Sequence, residues 1–223
     1  MARLILLRHG QSIWNQRNLF TGWVDIGLSQ KGVEECLQAG RMISSWNVDV
    51  IYTSALVRAQ NSALIAMSCH STQKTPYIVN LERDVEKEAW YENIGGSKAL
   101  IPIHSAWELN ERMYGDLQGK NKQQMIEEHG AEQVQLWRRS YKAKPPGGES
   151  LADTISRTIP FFKEKIKPHL DRGEDVFIAA HGNSLRAIVM YVEQIEQEDI
   201  MGLEIATGEI RSYNYQGEAF TRS

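Results

Sequence analysis

Apolar and polar positions change rhythm several times along this chain. Residues 3–7 (RLILL) form an almost unbroken apolar run, and continuity rather than alternation predicts a strand covered on both faces. Over 30–46 the rhythm becomes helical: Val33, Cys36, Leu37, Gly40 and Ile43 share a face, behind Ser29 as a candidate N-cap. Residues 48–53 (VDVIYT) predict a second strand, followed by a helix over 55–67 that Ser54 is placed to cap. Residues 175–180 (DVFIAA) predict a third buried strand, then a helix from 184 to about 193, and 210–215 a last strand. The middle is less regular. Short helices are expected over 121–128 and 131–140, and KPPGG (144–148) breaks the chain before a helix whose opening, Ser150-x-x-Asp153, resembles a capping box. Leu151, Ile155, Ile159, Phe162 and Ile166 mark the expected inner face of that helix, and Pro160 is expected to kink it. The stretch 80–106 mixes charge (ERDVEKE), aromatics and Gly95-Gly96, and reads as a long surface excursion. No fixed-period repeat or low-complexity tract interrupts the pattern. Strands alternating with helices predict one α/β domain spanning 1–223, with a mostly parallel central sheet and helices on both faces.

Composition narrows the class. With 42% apolar and 24% charged residues, the 223-residue chain falls with soluble globular proteins rather than disordered, collagen-like or membrane ones. The net charge of −3 leaves no overall footprint for nucleic acid, so any bound anion must be held by a local cluster. No stretch reaches the length of a membrane span, and the apolar run at 4–7 is too short for a signal-peptide core. Cys36 and Cys69 are too few for a disulfide framework or a Cys-based zinc site, which suits a reducing, cytoplasmic location.

One internal echo carries the chemistry. LILLRHGQS near the start and FIAAHGNS near the end each read as strand, His-Gly-x-Ser, helix, placing His9 and His181 at carboxyl ends of strands, where open α/β sheets bind ligands. The glycine after each histidine lets the backbone turn and approach a ligand, and a following helix N-terminus offers free N–H groups to an anion. A single His-Gly pair reads equally well as a structural histidine; two at one sheet edge favour a site. Arg8 adjoins His9, and Arg58 falls in the first turn of the helix after VDVIYT. Guanidinium groups fork onto phosphate through paired hydrogen bonds, so the four residues together predict a phosphate pocket.

Arg8-His9-Gly10 with a second, distant His-Gly resembles the histidine phosphatase, or phosphoglycerate mutase-like, superfamily. RHGQSIWNQRNLFTGWVDIGLSQKG (8–32) is similar to the signature of the cofactor-dependent phosphoglycerate mutases nearly throughout. SALVRA (54–59), ELNERMYGDLQGKNK (108–122), EQVQLWRRSY (132–141) and AAHGNSLRA (179–187) resemble further blocks of that family in the expected order.

The resemblance implies a phosphoglycerate mutase-like fold and a glycolytic and gluconeogenic isomerase that interconverts 2- and 3-phosphoglycerate. It implies His9 as phosphoryl acceptor, Arg8, Arg58, His181 and Asn15 around the transferring group, and Glu111 as general acid and base. Thr21, Gly22, Arg112, Tyr114, Lys122, Arg138, Arg139, Gly182 and Asn183 fall at the family's substrate-holding positions. The implied primer is 2,3-bisphosphoglycerate, with no metal, and a small phosphorylated carboxylic acid is the implied partner; no nucleic acid or membrane partner is expected, and a homodimer is among the assemblies it allows. Trp14 and Trp137 are expected to pack rather than touch ligand. A phosphatase that uses the same pocket is the alternative, and a non-catalytic binding module a remoter one. Four departures stand out. Met113 replaces the family's usual aromatic or histidine, the stretch 80–106 is longer than usual, the segment 146–150 is shorter than in long-form mutases, and a longer basic tail after Tyr215 is missing. The short segment bears on subunit contacts, and the missing tail, a lid in relatives, is expected to raise hydrolysis.

Overall fold

A computed structural model describes residues 1–72, 74–79 and 100–223. Its strands are β1 (Ala2–Arg8), β2 (Val50–Ser54), β3 (Thr75–Ile78), β4 (Leu100–Ala106), β5 (Val176–Ala180), β6 (Ile210–Gln216) and β7 (Ala219–Arg222). They form one seven-stranded sheet in the order β3-β4-β2-β5-β1-β6-β7. The pairs from β3 through to β1 are parallel, whereas β6 and β7 join antiparallel at the other edge.

The unbroken apolar runs follow from burial on both faces. In β1, Leu4 and Leu6 pack with Val50, Tyr52, Val176 and Ile178 against one helical layer that includes Phe162, Ile166, Leu185 and Ile188. Ile5 and Leu7 point the other way, joining Ile51, Phe177 and Ala179 under Ala39, Ile43, Ala63 and Met67. Side chains alternate across a strand, so a strand covered twice has no polar positions to show. Each fully buried Leu or Ile contributes about 1.5–3 kcal/mol of transfer free energy.

Most expected elements are present. Ser29 caps the helix Gln30–Met42 by accepting from the Gly32 N–H, and Asn121 caps Lys122–His129, which is followed by Ala131–Arg139. Ser150 and Asp153 form both halves of the capping box on Leu151–Phe161. Of the expected inner face, Leu151, Phe162 and Ile166 are buried, while Ile155 and Ile159 are only half-buried and Thr154 and Thr158 are buried instead. Beyond Pro160 the chain opens into a π turn, Phe162–Ile166, the accommodation a helix makes where an N–H is missing and one ring must be fitted in.

Two expectations are corrected. Ser54 closes β2 rather than capping the next helix, Val57–Met67, whose N-cap is Leu56. The end of the supposed surface excursion is β4, an interior strand paired with both β2 and β3. Pro102, His104 and Ser105 break its apolar run, and proline in a central strand argues against strand by every local rule. Residues 80–99, the rest of that stretch, lie outside the described residues. Among the described residues no helix is long and apolar enough to cross a membrane.

The topology has one consequence for chemistry. Register aligns Arg8 with Ala180 and Thr53 with Ala179, so the carboxyl ends of β1, β5 and β2 are side by side. The residues that follow them, His9, His181 and the segment from Ser54 to Arg58, therefore converge.

Candidate active site

His9 is 2% exposed, and its backbone N–H donates to Ala180 O across the β1–β5 seam at 2.9 Å. Nδ1 lies 2.7 Å from Gly10 O, which can only accept, so Nδ1 carries the proton and Nε2 keeps its lone pair. Burial, then the nearby Arg58 and Arg8 charges, hold the His9 pKa well below its ordinary value, and the ring is neutral. A neutral imidazole with a bare nitrogen is a competent nucleophile.

His181 lies beside it, the ring centroids 4.9 Å apart. Its Nε2 is 2.6 Å from Ser54 Oγ, whose oxygen accepts from the Leu56 N–H and whose own proton is placed to go to Nε2; in that tautomer the buried Nδ1, which has no protein partner, carries the ring's proton. Its pKa too is held well down, by burial and then by Arg58 and His9. Arg58 is held by carbonyls: Nη2 donates to Gly22 O at 2.7 Å and Nη1 to Val24 O at 2.9 Å. Burial lowers its pKa to about 10, a value at which it is still charged at neutral pH. Arg8 Nη1 donates to Ile205 O at 2.6 Å.

Glu111 faces these cations. Its Oε1 accepts from the Arg112 N–H at 2.8 Å, the Asn183 N–H at 3.1 Å and Asn183 Nδ2 at 2.8 Å. Burial raises the carboxyl pKa, but those donors with Arg8 and Arg58 more than offset it, and Glu111 is an ionised carboxylate. Its backbone is pinned as well, Glu111 O accepting from Trp23 Nε1 and from Arg157 Nη2.

Arg8, His9, Arg58 and Glu111 line a cavity of about 170 Å³ together with Asn15, Thr21, Gly22, Tyr114, Lys122, Arg138, Arg139, Gly182 and Asn183, and also Arg186, while His181, fully buried, lies beside the His9 ring without lining it. Asn15 Oδ1 accepts from the Ser12 N–H, which leaves the amide NH₂ as its free end. Lys122, crowded by burial and by Arg138 and Arg8, has its pKa lowered to about 8. Arg139 is ion-paired with exposed Glu204. Arg8, Arg58, Lys122, Arg138, Arg139 and Arg186 thus share a wall whose one carboxylate among the described residues is Glu111. Buried polar atoms without a protein partner gather here too: the donors Arg8 Nε, Arg58 Nε and Arg186 Nε, the Thr21 hydroxyl and His181 Nδ1. An unmade buried hydrogen bond costs about 1–3 kcal/mol, and such a cluster fits a small polyanion that accepts from all of them.

Two sequence expectations change. Arg112 stands one layer behind the cavity wall: it is fully buried, its guanidinium stacks 4.9 Å from the Tyr114 ring, and Nη2 donates to Tyr114 Oη and to Arg138 O. It shapes the clamp instead of lining it. Gly10 serves the fold, because a Cβ there would meet Gly32 O at 2.2 Å and Cys36 Sγ at 2.8 Å. The first His-Gly is followed only by a single helical turn, Ile13–Gln16, whereas the second opens directly into the helix Gly182–Val192. Trp137 is buried with Phe20, Leu117 and Val134, and Trp14 lies 3.5 Å from where a Cβ of Gly119 would be, so both pack. Among the described residues no three His, Cys, Asp or Glu side chains form a metal site.

Residues 4–79 and 91–222 match the sequence profile of the Histidine phosphatase superfamily (branch 1). The chain belongs to that superfamily. A histidine phosphatase relative from Chlamydia caviae, named a 2,3-bisphosphoglycerate-dependent phosphoglycerate mutase, is 52% identical over 224 residues, covering 100% of this chain and 97% of its own. A relative of the same name from Chlamydia muridarum is 51% identical, covering 100% and 98%. Among solved structures, YhfR of Bacillus stearothermophilus superimposes with a TM-score of 0.77 at 22% identity, covering 100% of this chain and 96% of that one. A mycobacterial glucosyl-3-phosphoglycerate phosphatase does so at 0.76 and 21%, covering 100% and 98%. At those identities the two structures speak for the fold.

Three residues of this histidine phosphatase site escape sequence reasoning. Ser54 pairs with His181, 127 positions away, and nothing local marks it. Arg157 ties Glu149 to the carbonyls of Glu108 and Glu111 from a helix that reads as amphipathic. Arg186 does leave a trace: it is a lone charge in the otherwise apolar stretch LRAIVMYV (185–192).

Proposed function

We propose that this chain is a 2,3-bisphosphoglycerate-dependent phosphoglycerate mutase, a single cytosolic catalytic domain that interconverts 2- and 3-phosphoglycerate through phospho-His9. The observation that carries the reading is the meeting of a neutral, bare-nitrogen imidazole, an ionised carboxylate and a cluster of unpartnered buried donors around one cavity. The names of relatives more than 50% identical over the whole chain agree with it.

His9 Nε2 attacks phosphorus while Nδ1–H stays tied to Gly10 O, so the ring neither rotates nor changes tautomer as positive charge develops. Arg8, Arg58, Asn15 and His181 Nδ1 spread hydrogen bonds over the transferring oxygens, the main task in phosphoryl transfer. Lys122, Arg138, Arg139 and Tyr114 hold the substrate's remaining anionic groups, presented from the elements that Arg112 braces. With His9 phosphorylated, a phosphoglycerate hydroxyl gives its proton to Glu111 as its oxygen bonds phosphorus and the N–P bond breaks. Return of the other phosphoryl group to Nε2, with Glu111 protonating the departing oxygen, completes the exchange. The donor-rich, cationic wall fits 2,3-bisphosphoglycerate, which when bound supplies the phosphoryl group that first loads His9.

A coupled assay with and without added 2,3-bisphosphoglycerate, with released phosphate counted in parallel, tests this. Turnover should depend strongly on the bisphosphate and exceed phosphate release; phosphate release as the main outcome would assign the site to a phosphatase.

A further inference from the structure

We infer that Arg186 is a positioning residue for proton transfer: it locks the Asn183 carboxamide in the one orientation in which it donates to Glu111. This rests on Glu111 being the acid–base group.

Arg186 lies on the same helix as Asn183, one turn further on, and is 2% exposed. Its guanidinium donates to oxygens that carry no formal charge: Nη1 to Asn183 Oδ1 at 3.0 Å and Nη2 to Ile200 O at 2.6 Å. Burying a guanidinium against neutral acceptors is costly, and burial lowers its pKa to about 10. The arrangement gains something specific in return. A carboxamide has two nearly isosteric ends, an acceptor and a donor, and which end points where is decided by its neighbours. A guanidinium has only donors, so Asn183 Oδ1 must face Arg186, and Nδ2 is then turned to Glu111 Oε1 at 2.8 Å. Without Arg186 nothing holds Oδ1: the acceptor-only carboxylate still favours Nδ2, but the side chain is free to swing away from it. Glu111 would keep the Arg112 and Asn183 backbone donors while the side-chain donor is held only part of the time. The other charges around Glu111 come from separate elements, Arg8 after β1, Arg58 from Val57–Met67 and Lys122 from Lys122–His129, and replacing Arg186 leaves them in place. Neutral His181 precedes Asn183 and also remains.

Arg186→Met removes the donors and keeps the length, and Arg186→Lys returns one donor and the charge. In the unliganded, ¹⁵N-labelled protein the Asn183 side-chain NH₂ signals should be exchange-protected, lose that protection in Arg186→Met and regain part of it in Arg186→Lys. Mutase kcat in Arg186→Met should fall about tenfold to a hundredfold, KM should rise as the cavity-facing Nε is lost, and the acid limb of its pH profile should move up by about one unit. Phosphorylation of His9 by an aryl phosphate, whose phenolate departs without a proton, should suffer a smaller loss. Thermal unfolding reports whether each variant is folded; should the Met variant not fold, the Lys variant decides on the same readouts. Equal losses for the two phosphoryl donors, with an unmoved acid limb and unchanged Asn183 signals, would overturn the positioning role. Glu111→Gln, measured alongside, separates the two levels: if it retains turnover, the acid–base assignment itself falls. If it is inactive while Arg186→Met behaves as above for a negative result, only the positioning role falls.

Discussion

The ends of β1 and β5 carry the same motif, His-Gly-x-Ser, and use it differently. His9 ties Nδ1 to its neighbour's carbonyl and leaves Nε2 bare, whereas His181 ties Nε2 to Ser54 and leaves Nδ1 without a partner. With the Ser54 hydroxyl donating to Nε2, the His181 proton sits on Nδ1, so one ring is arranged to attack and the other to donate. The glycines differ as much. A Cβ at Gly10 would strike Gly32 O at 2.2 Å, but at Gly182 it would meet only ordinary contacts, Arg8 and Glu111 at 3.6 Å. A repeated motif thus reflects a repeated position at the sheet edge, and the neighbours decide what each copy does.

The largest effect should come from exchanging the two rings for alanine. His9→Ala should abolish acid-labile phosphate incorporation and lower mutase turnover by about 10⁴-fold or more. His181→Ala should lower turnover by about 10²–10³-fold, the loss typical of one transition-state donor, while phosphate still attaches to His9. Labelled-phosphate incorporation on both variants checks this, and undiminished labelling of His9→Ala would dissolve the distinction.

The glycines offer a contrast in stability. Gly10→Ala should cost about 1–3 kcal/mol, because backbone atoms on both sides must shift. Gly182→Ala should stay within about 0.5 kcal/mol in urea unfolding. Equal costs at the two sites would mean that the loop after β1 packs less tightly than the structure shows.

The smallest effect is shared by both histidines. Each folded-state pKa is depressed, so below about pH 6.5 the unfolded chain takes up protons that the native state refuses. The stability they contribute is complete above that pH and is lost as pH falls through 6.5 toward the folded-state values, at up to about 1.4 kcal/mol per pH unit for each ring. Denaturant midpoints of the unliganded protein at pH 7.5 and 5.5 should show it, and His181→Ala should remove about half of the difference.

Much of this was legible in the chain. β1, β2 and β5 declared themselves because burial on both faces leaves an unbroken apolar run, and Ser29 and Ser150 because a cap is a local hydrogen bond. The cations at the strand ends stood out because charge directly after an apolar strand is unusual. β4 was hidden by Pro102 and its polar neighbours, whose strand conformation depends on being held between β2 and β3. β3 and β7, four residues each, are too short to show a period.

What the amino-acid order determined alone is therefore local: which segments are buried strands, where helices start, and which residues of phosphate-binding chemistry follow them. Only the tertiary structure decided which nitrogen of each ring is free, that Ser54 serves His181 rather than a helix, that Arg112 stands behind the cavity and that Arg186 lines it. These outcomes rest on hydrogen bonds between residues far apart in the chain and on burial that makes an unmatched donor costly. Neither exists until β5 is inserted between β1 and β2.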